Sequence, residues 1–140
     1  AAVEEIVRKE GYEVVFKKII PDDGDTLTAL LCELSDEDKA DLILTTGGTG
    51  FSKRDNTPEA TMRAVERETP GISEAMRYYS LQITPRAMLS RGVSGIRKEA
   101  LIVNLPGSPK AVRECLEYAI GALTHGIDIL KGNTRNCAGK

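Results

Sequence analysis

The sequence predicts an α/β layered domain, on three observations. Apolar periodicity alternates between helical and strand spacing along the chain. Two short apolar runs, DLILTT (41–46) and LIVNL (101–105), have the composition of buried strands. Each feeds a loop of small residues and then a helical pattern, the order that parallel strands with crossover helices produce.

The elements follow in chain order. Val3, Ile6 and Val7 share one face of a helix ending near residue 10. YEVVFKKII (12–20) is β-branched and aromatic, which predicts a strand that Pro21-Asp22-Asp23-Gly24 terminates. Leu27, Leu30, Leu31 and Leu34 recur at helical spacing over about three turns. Asp41 to Thr46 reads as a strand covered on both faces and belonging to a parallel sheet. After Gly47-Gly48-Thr49-Gly50, a helix is expected from an N-cap at Thr57, with Pro58 and Glu59 in its first turn. Pro70-Gly71 ends that stretch, and 72–81 is a further helix. Residues 92–97 and 100–105 are expected to pair as a hairpin around Lys98-Glu99. From Val112 to Leu130 apolar residues keep helical spacing, and that helix is expected to run to Gly132. One domain over 1–132 and a loose polar tail over 133–140 result.

The chain's 140 residues, 41% of them apolar, suffice for one core without a metal or disulfide staple. Nineteen basic residues against 21 acidic ones give a net charge of −2. That balance argues against a general nucleic-acid binder and against an anionic membrane surface as partner. No apolar run approaches the roughly 20 residues needed to span a bilayer. Three scattered cysteines, Cys32, Cys115 and Cys137, form no CxxC pair and point to a reduced, cytoplasmic compartment. A single histidine, His125, excludes His-cluster zinc sites and argues against a Ser-His-Asp triad. Chemistry here must run on carboxylates, hydroxyls, basic side chains and backbone amides.

Three loops share a pattern of apolar strand, small or acidic residues, then helix: 19–23, 44–50 and 103–109. With parallel strands, their C-terminal ends lie on one sheet edge, where open α/β sheets bind ligands. Glycines let backbone amides approach phosphate oxygens. The helix after Pro109 adds the positive end of a dipole, with Lys110 close by. Asp22, Asp23 and Asp55 are hard oxygen donors of the kind that hold magnesium against a polyphosphate. Together these features suggest a nucleotide site. Each has a plainer reading as well. GGTG can be only a tight turn, the Asp22-Asp23 pair can simply cap a helix, and neither the P-loop nor the GxGxxG pattern is present.

Four segments in order, TTGGTGFSKRDNTPEAT (45–61), ETPGISEAMR (68–77), ITPRAMLSR (83–91) and IVNLPGSPKAVRE (102–114), resemble the Mog/MoaB family of molybdenum-cofactor synthesis. Within it they are most similar to the branch that includes the G domains of gephyrin and its plant counterpart. The resemblance spans residues 12–131. It implies a three-layer α/β/α sandwich with a mostly parallel sheet, assembled as a cytoplasmic homotrimer. It also implies transfer of AMP from Mg-ATP to the terminal phosphate of molybdopterin, with release of pyrophosphate, and a molybdate-insertion enzyme as a further partner. Carried over by residue, Asp22 and Asp55 match the family's two essential aspartates, which hold magnesium. Thr46, Gly47, Gly48, Thr49 and Gly50, with Asn104, Pro106, Gly107 and Ser108, match the loops lining the nucleotide and phosphate cleft. Ser80, Ser90 and Arg91 match polar positions on the pterin side.

The family pattern opens with a strand and a Ser-Asp turn, whereas this sequence starts within the first helix, so the sheet is expected to lack that strand. Two other readings stand beside the transferase. One is a non-catalytic molybdopterin-binding scaffold or trimerisation module, which the absent strand favours and the presence of both Asp22 and Asp55 disfavours. The other is the related molybdate-insertion enzyme, whose Gly-Val-Ser loop is not found where GGTG stands.

Overall fold

The computed structural model describes residues 1–21 and 23–133. Four strands form one mixed sheet: β1 (Leu42–Thr46), β2 (Arg67–Glu68), β3 (Ser94–Arg97) and β4 (Ala100–Leu105), in the order β1-β4-β3-β2. Its core pair, β1 and β4, is parallel, with Leu42 opposite Leu101 and Thr46 opposite Leu105. β3 and β2 extend the sheet antiparallel.

β4 organises the layers through its two-residue period. Leu101, Val103 and Leu105 point to one face, where they pack with Ile6 and Val7 of α1 (Ala2–Lys9), Met76 of α4 (Pro70–Leu81) and the apolar stripe of α5 (Pro109–Leu130). Ala100 and Ile102 point to the other, against α2 (Gly24–Asp36) and α3 (Thr57–Ala64). Helices thus cover both faces of the sheet, as the α/β/α class requires. Ile102, Val103 and Leu105 are completely buried. Cys115 lies in the first cluster and Cys32 packs against the second, so both serve the core.

The expected strand over 12–20 is not formed: these residues adopt no regular element. β propensity measures fit to a pleated, half-buried surface, and only a ladder partner turns it into a strand. Tyr12 and Val14 pack on one core cluster and Ile20 on the other, while Val15, Phe16 and Ile19 remain exposed. The reading of 41–46 as a strand covered on both faces of a parallel pair holds. Both faces of β1 are covered, Ile43 by one cluster and Leu42 and Leu44 by the other. Its outer edge, however, pairs with no described strand. An apolar edge strand without a Lys or Pro to blunt it is unusual.

Helix boundaries shift by small amounts. α3 takes Asn56 as its N-cap, one residue before the expected Thr57. Pro70 opens α4 instead of closing the preceding stretch. α5 ends at Leu130, and Gly132, at φ 75°, turns the chain away. The β3–β4 hairpin forms as expected, although Lys98 at its turn sits at φ 54°. Its amide donates to Glu66 Oε1 at 2.9 Å, which holds a turn whose own sequence is weak. Among the described residues, no helix is long and apolar enough to cross a membrane.

Candidate functional site

The parallel pair sends two loops off the same sheet edge, and they touch. Gly47 N–H donates to Leu105 O at 3.1 Å. A Cβ added to Gly107 would stand 3.4 Å from Gly47 Cα, so the two loops are in van der Waals contact at their glycines. Gly47 and Gly48 have φ of 83° and 72°, the left-handed region that glycine enters without strain. Gly48 O accepts from Thr57 N, which ties the glycine turn to the start of α3.

The loop from Gly47 to Asn56 walls two concavities. One is a cleft of ≈ 300 Å³ to which Thr49 and Gly50 contribute. Ser73, Arg77 and Ser80 of α4, Thr84 capping the 3₁₀ turn at Pro85–Leu89 and Arg86 within it, Ser90, and Pro106 contribute to its lining. The other is a groove of ≈ 1400 Å³ running along β1, where Thr46, Gly47, Gly48, Asp23, Asn56 and Thr57 meet.

Asp55 sits on the same loop, half-buried. Its Oδ2 accepts from Ser52 N at 3.0 Å, and its own N–H donates to Ser52 O at 2.9 Å. A Cβ on Gly50 would come within 2.9 Å of that carboxylate oxygen, so Gly50 makes room for it. The other aspartate singled out by sequence, Asp22, lies outside the described residues, as does Cys137. Its neighbour Asp23 does what a capping residue does: Oδ1 accepts from Asp25 N and Oδ2 from the Thr26 hydroxyl. Hydrogen bonds from the Thr26 side chain, then from nearby amides, hold the Asp23 carboxyl below the usual carboxylate range.

The remaining sequence candidates divide by geometry. Ser80 and Ser90 line the cleft. The Ser80 hydroxyl lies 3.2 Å from Cys115 Sγ, and burial pushes that thiol up, so it stays neutral at pH 7. Ser108 caps α5, its Oγ accepting from Ala111 N, which places the helix's positive end beside the glycine loops. Asn104 borders the cleft but is 3% exposed, and its amide is fully engaged. Oδ1 accepts from Val93 N at 3.1 Å, while Nδ2 donates to the hydroxyls of Thr45 and Thr61 at 2.9 and 3.0 Å. It ties β4 to β1 and α3 beneath the loops. Asn104→Ala leaves a buried amide and two hydroxyls without their partner and is expected to cost about 2–4 kcal/mol, read by urea denaturation. Arg91 lies outside the cleft, its guanidinium turned toward the 50–59 loop.

Arg77, Thr84 and Arg86 are not evident from sequence. Ser73, Arg77 and Ser80 recur at i, i+4, i+7 on α4, a polar stripe that marks the cleft-facing side. Arg77 Nη1 also donates to Gly92 O at 2.7 Å, which fixes the far wall. His125, on an exposed face of α5, lines neither concavity.

A family model described as "Probable molybdopterin binding domain" matches residues 1–125. The molybdopterin adenylyltransferase of Helicobacter pylori (strain ATCC 700392 / 26695) is 45% identical over 118 residues, covering 84% of this chain and 67% of that protein. That of Escherichia coli (strain K12) is 50% identical over 114 residues, covering 79% and 58%. The chain therefore spans 58–67% of the length of these two relatives. The structure of the molybdopterin biosynthesis enzyme MoaB from Thermus thermophilus superposes with a TM-score of 0.87 at 44% identity, over 94% of this chain and 82% of that one. The Mog protein from Mycobacterium ulcerans gives 0.84 at 37% identity, over 91% and 83%. The chain belongs to the molybdopterin-binding domain family of molybdenum-cofactor biosynthesis.

Proposed function

We propose that this chain transfers AMP from ATP to the terminal phosphate of molybdopterin and releases pyrophosphate. The observation that carries the reading is the shared wall: one loop lines a groove with Gly47 and Gly48 and a cleft with Thr49 and Gly50, and the same loop carries Asp55. Two substrates on either side of a single loop can meet at its crest. The names of relatives at 45, 50 and 54% identity support the same activity.

In this reading the cleft takes the pterin, with Ser80 and Ser90 on its polar rim and Arg77 and Arg86 facing its anionic groups. Thr46 to Gly50 and Pro106 to Ser108 take the nucleotide phosphates, with the N-terminus of α5 favouring their charge. A pterin phosphate oxygen attacks the α-phosphorus of ATP; a new P–O bond forms as the bond to the β-phosphate oxygen breaks. A phosphate monoester is largely ionised at pH 7, so no side chain need remove a proton. The protein's part is alignment and charge neutralisation.

Magnesium fits the donor set, since with a polyphosphate it takes only one or two protein carboxylates. Among the described residues no cluster of three acidic, His or Cys ligands forms a protein-only cage. Asp55, with Asp22, would hold the ion, and it would neutralise the polyphosphate.

The family's trimer is part of the proposal. Exposed Tyr78, Ile83, Met88 and Leu89 on α4 and the adjoining turn support self-association. The free thiols Cys32 and Cys115 agree with a reduced, cytoplasmic setting, where a molybdate-insertion enzyme would take the product.

Pyrophosphate release from ATP tests the activity. It should require molybdopterin and stop when either substrate is omitted. Pterin binding without pyrophosphate release would favour a scaffold.

A further inference from the structure

We infer that Arg91 is a positioning residue that locks the Asp55 loop in register with the pterin cleft, an inference that rests on the adenylyl-transfer reading. Its peptide N–H donates to Thr49 O at 2.8 Å. Its side chain then crosses to the loop's far limb. Nε donates to Gly50 O at 2.8 Å and Nη2 to Asp55 O at 2.7 Å, while Nη1 pairs with the Glu59 carboxylate on α3. Four points between residues 49 and 59 are thereby held by one residue. The Arg91 guanidinium also holds the Glu59 carboxyl below the usual carboxylate range.

A clamp needs a fixed base, and this one has it. On either side of Arg91, Arg77 donates to Gly92 O at 2.7 Å, and Gly92 N donates to Ser90 Oγ at 3.3 Å. A chain of contacts runs from α4 through the cleft wall at 90–92, across Arg91, to the Asp55 peptide. Ser90 and Gly92 line the cleft; Arg91 does not. The residue touches neither concavity yet joins the cleft wall at Thr49 and Gly50 to Asp55 and the first turn of α3.

An arginine suits the task because its rigid fork can serve several acceptors at once, whereas a lysine is a flexible point donor. The carbonyls it serves, those of Thr49, Gly50 and Asp55, lie in a loop of ten residues, 47–56, which contains no helix or strand. Without the clamp, Asp55 keeps its local bond to Ser52 but loses its register against the cleft.

The test compares wild type with Arg91→Ala, Arg91→Lys and Glu59→Gln in three readouts. These are steady-state kinetics, molybdopterin affinity without ATP from pterin fluorescence, and hydrogen exchange of the 50–57 amides. Arg91→Ala should lower kcat about 100-fold, the scale of a 1 Å misplacement. Exchange across 50–57 should rise. Molybdopterin affinity should stay within about twofold of wild type, because a positioning role acts on kcat and leaves pterin binding alone. Arg91→Lys should recover only part of kcat, and Glu59→Gln should lower it less than Arg91→Ala. If molybdopterin affinity falls in step with activity and exchange is unchanged, Arg91 is a pterin contact and the inference is overturned. Unchanged kcat and exchange overturn it equally. If Arg91→Ala fails to fold, Arg91→Lys and Glu59→Gln decide the matter by the same readouts. A wild-type chain that makes no adenylyl product would remove the parent reading, and exchange alone would then still judge the clamp.

Discussion

Asp55→Ala is expected to lower kcat for adenylyl transfer by about 10²–10³-fold, the scale of losing one preorganised electrostatic group. The fold should survive. The Asp55 peptide is held independently of its side chain, by Ser52 O on one side and Arg91 on the other. The change removes one half-exposed hydrogen bond, from Ser52 N, worth about 1 kcal/mol. Thermal unfolding should therefore move by only about 2–8 °C while activity nearly vanishes. Asp55→Asn separates charge from shape. It keeps an acceptor for Ser52 but carries no charge, so its kcat should fall as far as that of the alanine variant. Full activity in Asp55→Asn would remove Asp55 from any role in holding a cation.

Gly48→Ala is expected to damage both stability and activity. Gly48 has φ 72°, and a Cβ there would stand 2.1 Å from Thr57 Oγ1 and 3.1 Å from Thr57 Cβ. Rotating Thr57 relieves the first clash but not the second. The left-handed backbone penalty and the overpacking together come to about 2–4 kcal/mol. Urea denaturation reads the stability loss, and transfer should fall with it because the turn lies between the two concavities. Gly71→Ala is the contrasting control. Gly71 is in the first turn of α4 with nothing within 4 Å of an added Cβ, so alanine there should be neutral or slightly stabilising. Equal stability of Gly48→Ala and wild type would contradict the geometry of this turn.

Local periodicity makes most of the architecture legible. The Leu27–Leu34 stripe, the long apolar spacing of α5, and LIVNL as the central strand carry their structure in their own residues. YEVVFKKII does not, because a strand is completed by its partner, and β1 offers its open edge to no described strand. Two loops of the site are legible as well, since glycine after a buried strand has a narrow range of physical uses. Side-chain direction is less so. Arg91 reads in sequence as a polar residue beside the pterin, but only the fold shows its fork turned to Gly50 and Asp55. Asn104 reads in sequence as a residue of the phosphate loops, and only the fold shows its amide tying β4 to β1 and α3 beneath the cleft. Arg77 shows in sequence only as part of the polar stripe on α4 and Arg86 gives no signal, because lining a cleft depends on which face of α4 and its following turn is left open.

The most direct measurement follows the label from ATP radiolabelled at the α-phosphorus, incubated with the chain, molybdopterin and magnesium. Adenylyl transfer predicts label on the pterin, with unlabelled pyrophosphate released in equal amount. Label that stays in the nucleotide while pterin is bound, or pterin labelled only from γ-labelled ATP, would contradict it.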